Sequence, residues 1–196
     1  CACGCASFIS SIFYLLGEFF GTKYTQEAHR ATLGACALEA LNILGAQLRL
    51  SGRQVEDVRG DWVAALEDLF PQVTEVVGVS QVLSHLALYN IPVAFVAGAT
   101  ASSLGKLAER HPRLFEQASI VVCPSQGCRG RPYSDMYLKA ARHMNVSPHD
   151  CLTLNGSPAG VAAAANAHMC PIGVGAPEGI GPYGGWADAS DFVGAG

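Results

Sequence analysis

Hydrophobic positions recur along this chain with two different rhythms. From about Ser10 to Val76 the spacing is helical: Leu38, Leu41, Leu44, Leu48 and Leu50 form one apolar stripe, and Val63, Leu66, Leu69 and Phe70 form another. Gly34, Gly52 and Pro71 punctuate this part, and no strand or internal repeat is predicted in it. From Val77 onward, helical and strand patterns alternate. Helices are predicted over Ser80–Tyr89, Ser102–Arg110, Asp135–Met144 and Ala159–His168. Between them lie continuous apolar runs at Ile91–Ala97, Ala118–Val122, Cys151–Leu154 and Pro171–Gly175, which read as buried strands. Uninterrupted apolar strands separated by helices imply a parallel sheet covered on both faces. The fold class expected is therefore α/β, a doubly wound parallel sheet with a helical insertion near its start. The Gly-rich tail from Gly179 to Gly196 reads mostly as loop.

Composition narrows the function classes. Half of the 196 residues are hydrophobic, which excludes wholesale disorder. Charged residues make up 14%, against roughly 25% in an ordinary soluble domain. The net charge of −4 and the lack of a basic patch argue against nucleic acid as a partner. No apolar run reaches the roughly 20 residues of a membrane span; Phe8 to Phe20 is short and broken by Ser10, Ser11, Gly17 and Glu18. The first residue is Cys1 rather than Met, so the expectation is a processed chain or a fragment. A mitochondrial or plastid address is compatible with that, and a cytoplasmic one otherwise.

In such folds ligands sit beyond the carboxyl ends of the strands, which directs attention to Ala97-Gly98, Cys123 and Asn155-Gly156. Eight cysteines are too sparse for a disulfide scaffold; Cys36, Cys151 and Cys170 lie in apolar stretches and read as small core residues. Cys1, Cys3 and Cys5 lack the spacing and the second cluster of a zinc ribbon. The run Cys123-Pro124-Ser125-Gln126-Gly127-Cys128-Arg129 follows a strand and has the Cys-x5-Arg spacing of cysteine phosphatases. Val122 and Gly130 stand where that motif ordinarily has a His and a hydroxyl residue. His29, His85, His111 and His143 form no constellation, and Asp61, Glu67, Asp188 and Asp191 read as solvated.

Three segments carry a resemblance. The first comprises Gly130-Arg131-Pro132-Tyr133-Ser134-Asp135, Tyr137-Leu138-Lys139-Ala140-Ala141, and Cys151-Leu152-Thr153-Leu154-Asn155-Gly156-Ser157-Pro158-Ala159-Gly160-Val161. The second runs from Ile91 through Ala97 to Arg110-His111-Pro112-Arg113-Leu114-Phe115, and the third is Gly21-Thr22-Lys23-Tyr24-Thr25. Together they resemble the haloacid dehalogenase superfamily, specifically its helical-cap group of β-phosphoglucomutase and pseudouridine-5′-phosphatase type. The resemblance implies a Rossmann-like core from residues 1–15 and 77–196, and a helical cap from residues 16–76.

Active members of that family begin with a strand ending in Asp-x-Asp-Gly, whose carboxylates attack phosphorus, move protons and help hold Mg²⁺. The corresponding stretch here resembles Cys1-Ala2-Cys3-Gly4, and the first aspartate of the chain is Asp57. The family's phosphate-binding Ser/Thr falls on Ala97, its Lys on Arg131, and its acidic metal-binding pair on Asn155 and Gly156. The resemblance therefore implies degenerate catalytic positions and a lost Mg²⁺ site, hence no cofactor. Ser157-Pro158-Ala159-Gly160 keeps a helix start that presents N–H groups to an anion, or that simply caps the helix. Three functions stand open at this point. One is a catalytically inactive accessory subunit of a larger assembly, with other protein subunits as partners. Another is a non-catalytic binder of a phosphorylated metabolite through Arg131 and Ser157. The last is a residual phosphatase using Cys123 and Arg129.

Overall fold

The structure is a computed structural model, and it describes residues 27, 31, 32, 35, 37–47, 49–69, 73–125, 127–174, 186 and 187. The expected core segment 1–15, including Cys1 and Cys3, lies outside the described residues, as do the Gly21–Thr25 stretch, Leu48 and Phe70.

Two helices, α1 (Ala37–Gln47) and α2 (Gly52–Leu69), fall in the stretch expected to form the cap. Ala40, Leu41 and Leu44 are buried, as the apolar stripe requires. The turn between the helices is written locally. Arg49 adopts a left-handed conformation and Leu50 N–H returns to Gly45 C=O at 2.9 Å, closing α1. Ser51 and Gln54 then form a reciprocal cap on α2: Ser51 N–H donates to Gln54 Oε1 at 2.9 Å and Gln54 N–H to Ser51 Oγ at 3.3 Å. Gly45 lies where any Cβ would come 2.5 Å from Val55 Cγ2, so the two helices approach through a glycine. The segment returning toward the core is pinned by a 2.7 Å hydrogen bond between His111 Nε2 and Val73 C=O.

The remainder alternates as expected: α3 (Val79–Leu88), β1 (Ala94–Val96), α4 (Ala101–Arg110), the short α5 (Pro112–Phe115), β2 (Ile120–Val122), α6 (Asp135–Met144), β3 (Leu152–Asn155), α7 (Pro158–Asn166), β4 (Cys170–Val174) and β5 (Trp186–Ala187). All pairings are parallel. β1 runs beside β2 with Ala94 opposite Ile120, β3 beside β4 with Leu152 opposite Cys170, and β4 beside β5 with Gly173 opposite Trp186. Helix α6 packs on β1 and β2, and α7 packs on β3 and β4. This is the α/β architecture that the alternating pattern predicts.

Three expectations are corrected. The first strand is shorter than Ile91–Ala97, because Ile91 N–H is held by Leu86 C=O at 2.9 Å and so belongs to the helix exit. Within the tail, Trp186–Ala187 adds a short parallel strand to β4. Cys170 is exposed, while Cys128, which the pattern did not single out, is buried. Finally, the apolar run at β3 is not buried throughout. Thr153 and Asn155 point inward, and alternation along the strand leaves Leu152 62% and Leu154 44% exposed on the other face.

Candidate functional site at the strand ends

The chain leaves β3 through Asn155-Gly156-Ser157 and enters α7 at once. Ser157 is extended and caps the helix, its Oγ accepting the Gly160 N–H at 3.2 Å, with Pro158 filling the first turn. Glycine is required at 160: a Cβ there would stand 2.7 Å from Asn155 Oδ1 and 3.2 Å from Ser157 Oγ. The three residues are thus packed into one tight corner, with Asn155 and Ser157 almost fully buried.

Asn155 is held on both sides. Its Oδ1 accepts the Tyr137 hydroxyl at 2.6 Å, and its Nδ2 donates to Thr153 Oγ1 at 2.9 Å. Tyr137 comes from the first turn of α6 and lies beside Arg131, which precedes that helix. Burial pushes the Tyr137 phenol up from its ordinary pKa, while the positive charge of Arg131 pulls the other way. Arg131 is itself only 6% exposed, and its Nε has no hydrogen-bond partner. It makes no ion pair with a carboxylate among the described residues. A buried guanidinium without a countercharge is expensive to maintain unless an anion answers it.

The loop that delivers Arg131 is closed at its base. Asp135 accepts from Arg129 Nε at 2.9 Å, from Arg129 Nη2 at 2.9 Å and from the Arg129 backbone N–H at 3.0 Å. The Tyr133 ring lies against the same guanidinium, 4.1 Å from its centroid. The hydrogen bonds from Arg129 hold the Asp135 carboxyl down to about 2. With its pKa depressed, Asp135 contributes stability that is present above the unfolded carboxylate range and lost as pH falls toward 2.

That clasp corrects the cysteine-phosphatase reading. Such a loop needs successive N–H groups turned inward and an arginine aimed back at the thiolate. Here Ser125 and Cys128 instead pair as a tight hairpin, at 3.1 and 2.9 Å, with Gly127 left-handed at its tip. The Arg129 side chain is 63% exposed and engaged by Asp135. Cys123 and Arg129 therefore do not converge on a common ligand.

Of the residues the sequence singles out, the fold joins Arg131 and Asn155 through Tyr137, and Ser157 to Asn155 through Gly160. Ala97 ends β1 half-buried, its N–H on Val122 C=O at 2.9 Å and its methyl group unable to donate to phosphate. Gly156 is exposed. A hard divalent cation wants carboxylate oxygens. Asn155 offers one amide oxygen already bonded to Tyr137, Gly156 offers no side chain, and the described residues contain no group of three or more His, Cys, Asp or Glu able to hold a metal. Asn155 and Gly156 therefore do not fit Mg²⁺. Sequence reasoning missed Tyr137 and Asp135. The available signal was a tyrosine on the apolar face of α6, where a hydroxyl needs a partner.

A parallel α/β core, a helical pair and a buried arginine with polar neighbours at the strand ends define a protein of Rossmann-like α/β class. The family model described as haloacid dehalogenase-like hydrolase matches residues 17–168, and the chain belongs to that family. The chain is 30% identical over 156 residues to (DL)-glycerol-3-phosphatase 2 of Arabidopsis thaliana, covering 76% of this chain and 65% of that protein. It is 30% identical over 109 residues to β-phosphoglucomutase of Bacillus subtilis, covering 56% and 44%. Among solved structures, a hydrolase from Pseudomonas syringae matches with a TM-score of 0.80 at 16% identity, covering 97% of this chain and 90% of that one, a likeness of fold. The chain spans 65% or less of the length of these curated relatives. These relatives are named phosphatases and mutases, which points to an enzyme and overturns the expectation of an inactive pseudoenzyme.

Proposed function

We propose that this chain is part of a hydrolase that cleaves the phosphate monoester of a small metabolite, with Arg131 as the grip on the phosphoryl group. The observation that carries the reading is the buried Arg131 guanidinium, with an unpartnered Nε and no carboxylate countercharge among the described residues. A phosphate oxygen supplies the negative charge that a buried guanidinium calls for, and the planar fork of Arg matches phosphate oxygens in geometry. Tyr137 and Asn155 hold the guanidinium's surroundings fixed, and the capped start of α7 directs its dipole toward the same corner. The relatives named as glycerol-3-phosphatase and hexitol phosphatase support a phosphomonoester as the substrate class.

The test is phosphate release from a panel headed by DL-glycerol 3-phosphate, with Mg²⁺ and with chelator. Turnover is expected to fall by about 10²–10³-fold in Arg131→Ala and to stay within about tenfold in Arg131→Lys. Equal turnover in the parent and Arg131→Ala would refute the assignment. A second reading concerns assembly with other protein subunits, favoured by the exposure of Leu152 and Leu154 on one face of β3. The native mass of the protein in a gentle extract tests it; migration at the mass of a single polypeptide counts against it.

A further inference from the structure

We infer that the Arg129–Asp135 clasp is a positioning device, which sets the site's affinity for phosphate by fixing the loop that presents Arg131. The inference rests on the reading of Arg131 as the phosphate grip. Its own evidence is the geometry of residues 129–135. One carboxylate, on the first residue of α6, receives three N–H groups from a single arginine at 2.9–3.0 Å, one of them from the main chain. The loop is thereby pinned at both ends, through the Arg129 backbone and through the helix. Within it, Tyr133 N–H closes a turn on Gly130 C=O at 3.1 Å, and the Tyr133 ring backs the guanidinium of Arg129. Arg131 sits inside this closed loop and is the residue that turns inward: it is 6% exposed, whereas Arg129 and Tyr133 remain outside.

An ion pair as exposed as this one contributes little to global stability. A bidentate fork with an added main-chain bond has a different value, because it restricts geometry. A guanidinium that must meet phosphate oxygens at hydrogen-bond distance is sensitive to displacements of the order of an ångström. Asp135 and Arg129 therefore act through Arg131 without touching the ligand.

Isothermal titration of inorganic phosphate into the full chain, alongside thermal melting, separates this role from a merely structural one. Arg129→Gln is expected to weaken phosphate binding by roughly tenfold while lowering Tm by no more than about 2 °C. Arg129→Lys keeps the charge but loses the fork, so it is expected to recover only part of the affinity. Asp135→Asn is expected to match Arg129→Gln, and Arg131→Ala to abolish binding. Wild-type affinity in folded Arg129→Gln overturns the positioning role and leaves Arg131 as the grip. Loss of binding only in step with loss of fold in both clasp variants overturns it too. Equal, negligible binding by the parent and Arg131→Ala overturns the phosphate site itself, and the clasp falls with it.

Discussion

Helix α6 divides two regions that its neighbouring residues Met136 and Tyr137 enter separately. Met136 is fully buried among Val122, Cys128 and Ala140, under the Ser125–Cys128 hairpin. Tyr137 joins Ala141, Ala163, Ala164, Ala167 and Met169 against α7, but its hydroxyl ends at Asn155 with Arg131 beside it. The first region is wholly apolar and explained by packing. The second carries polar atoms into the interior, one of which, Arg131 Nε, is left without a partner. The Cys-x5-Arg run, Cys123 to Arg129, covers the apolar region, while Arg131, Asn155 and Ser157 meet in the polar one. A thiol and an arginine at a suggestive spacing mean little when the arginine is already paired outside.

Four perturbations sharpen or break that contrast. The largest effect belongs to Met136→Ala, which empties a fully buried side chain and is expected to cost about 2–5 kcal/mol in urea unfolding. Phosphate affinity should survive wherever the protein is folded; selective loss of affinity would join the two regions. Tyr137→Phe removes the donor from buried Asn155 Oδ1 and is expected to destabilise by about 1–3 kcal/mol. It should also weaken phosphate binding, and unchanged binding would place Tyr137 outside the site. Ser157→Ala deletes the cap of α7 and is expected to cost about 1 kcal/mol, read by thermal melting. Cys123→Ser should change neither stability, within about 0.5 kcal/mol, nor phosphate release. A large drop in turnover there would reinstate the cysteine mechanism.

The order of elements was legible because periodicity survives without knowledge of contacts. The helix Asp135–Met144 has the bounds expected from the sequence, and the strand at β3 is displaced by one residue. The capping signals at Ser51-x-x-Gln54 and Ser157 are local as well, since each cap is made by residues three apart. The strands were overextended where apolar residues serve helix exits, as Ile91 does. Exposure was harder still. Leu152 and Leu154 carry the same apolar signature as core residues, and whether a face is covered depends on what packs against it.

The site divides in the same way. Asn155 could be singled out as a residue following a strand, and Arg131 and Ser157 from the resemblance to the family, because both depend on the order of residues alone. That Asn155 is locked by Tyr137, 18 residues earlier, is a tertiary fact. So is the engagement of Arg129 by Asp135, which removes it from the thiol, and the burial of Arg131 without a countercharge. A side chain's residue type sets its charge and its hydrogen-bonding capacity. Which of those capacities is satisfied, and which is left open to a ligand, is set by neighbours that only the folded chain brings within 3 Å or so.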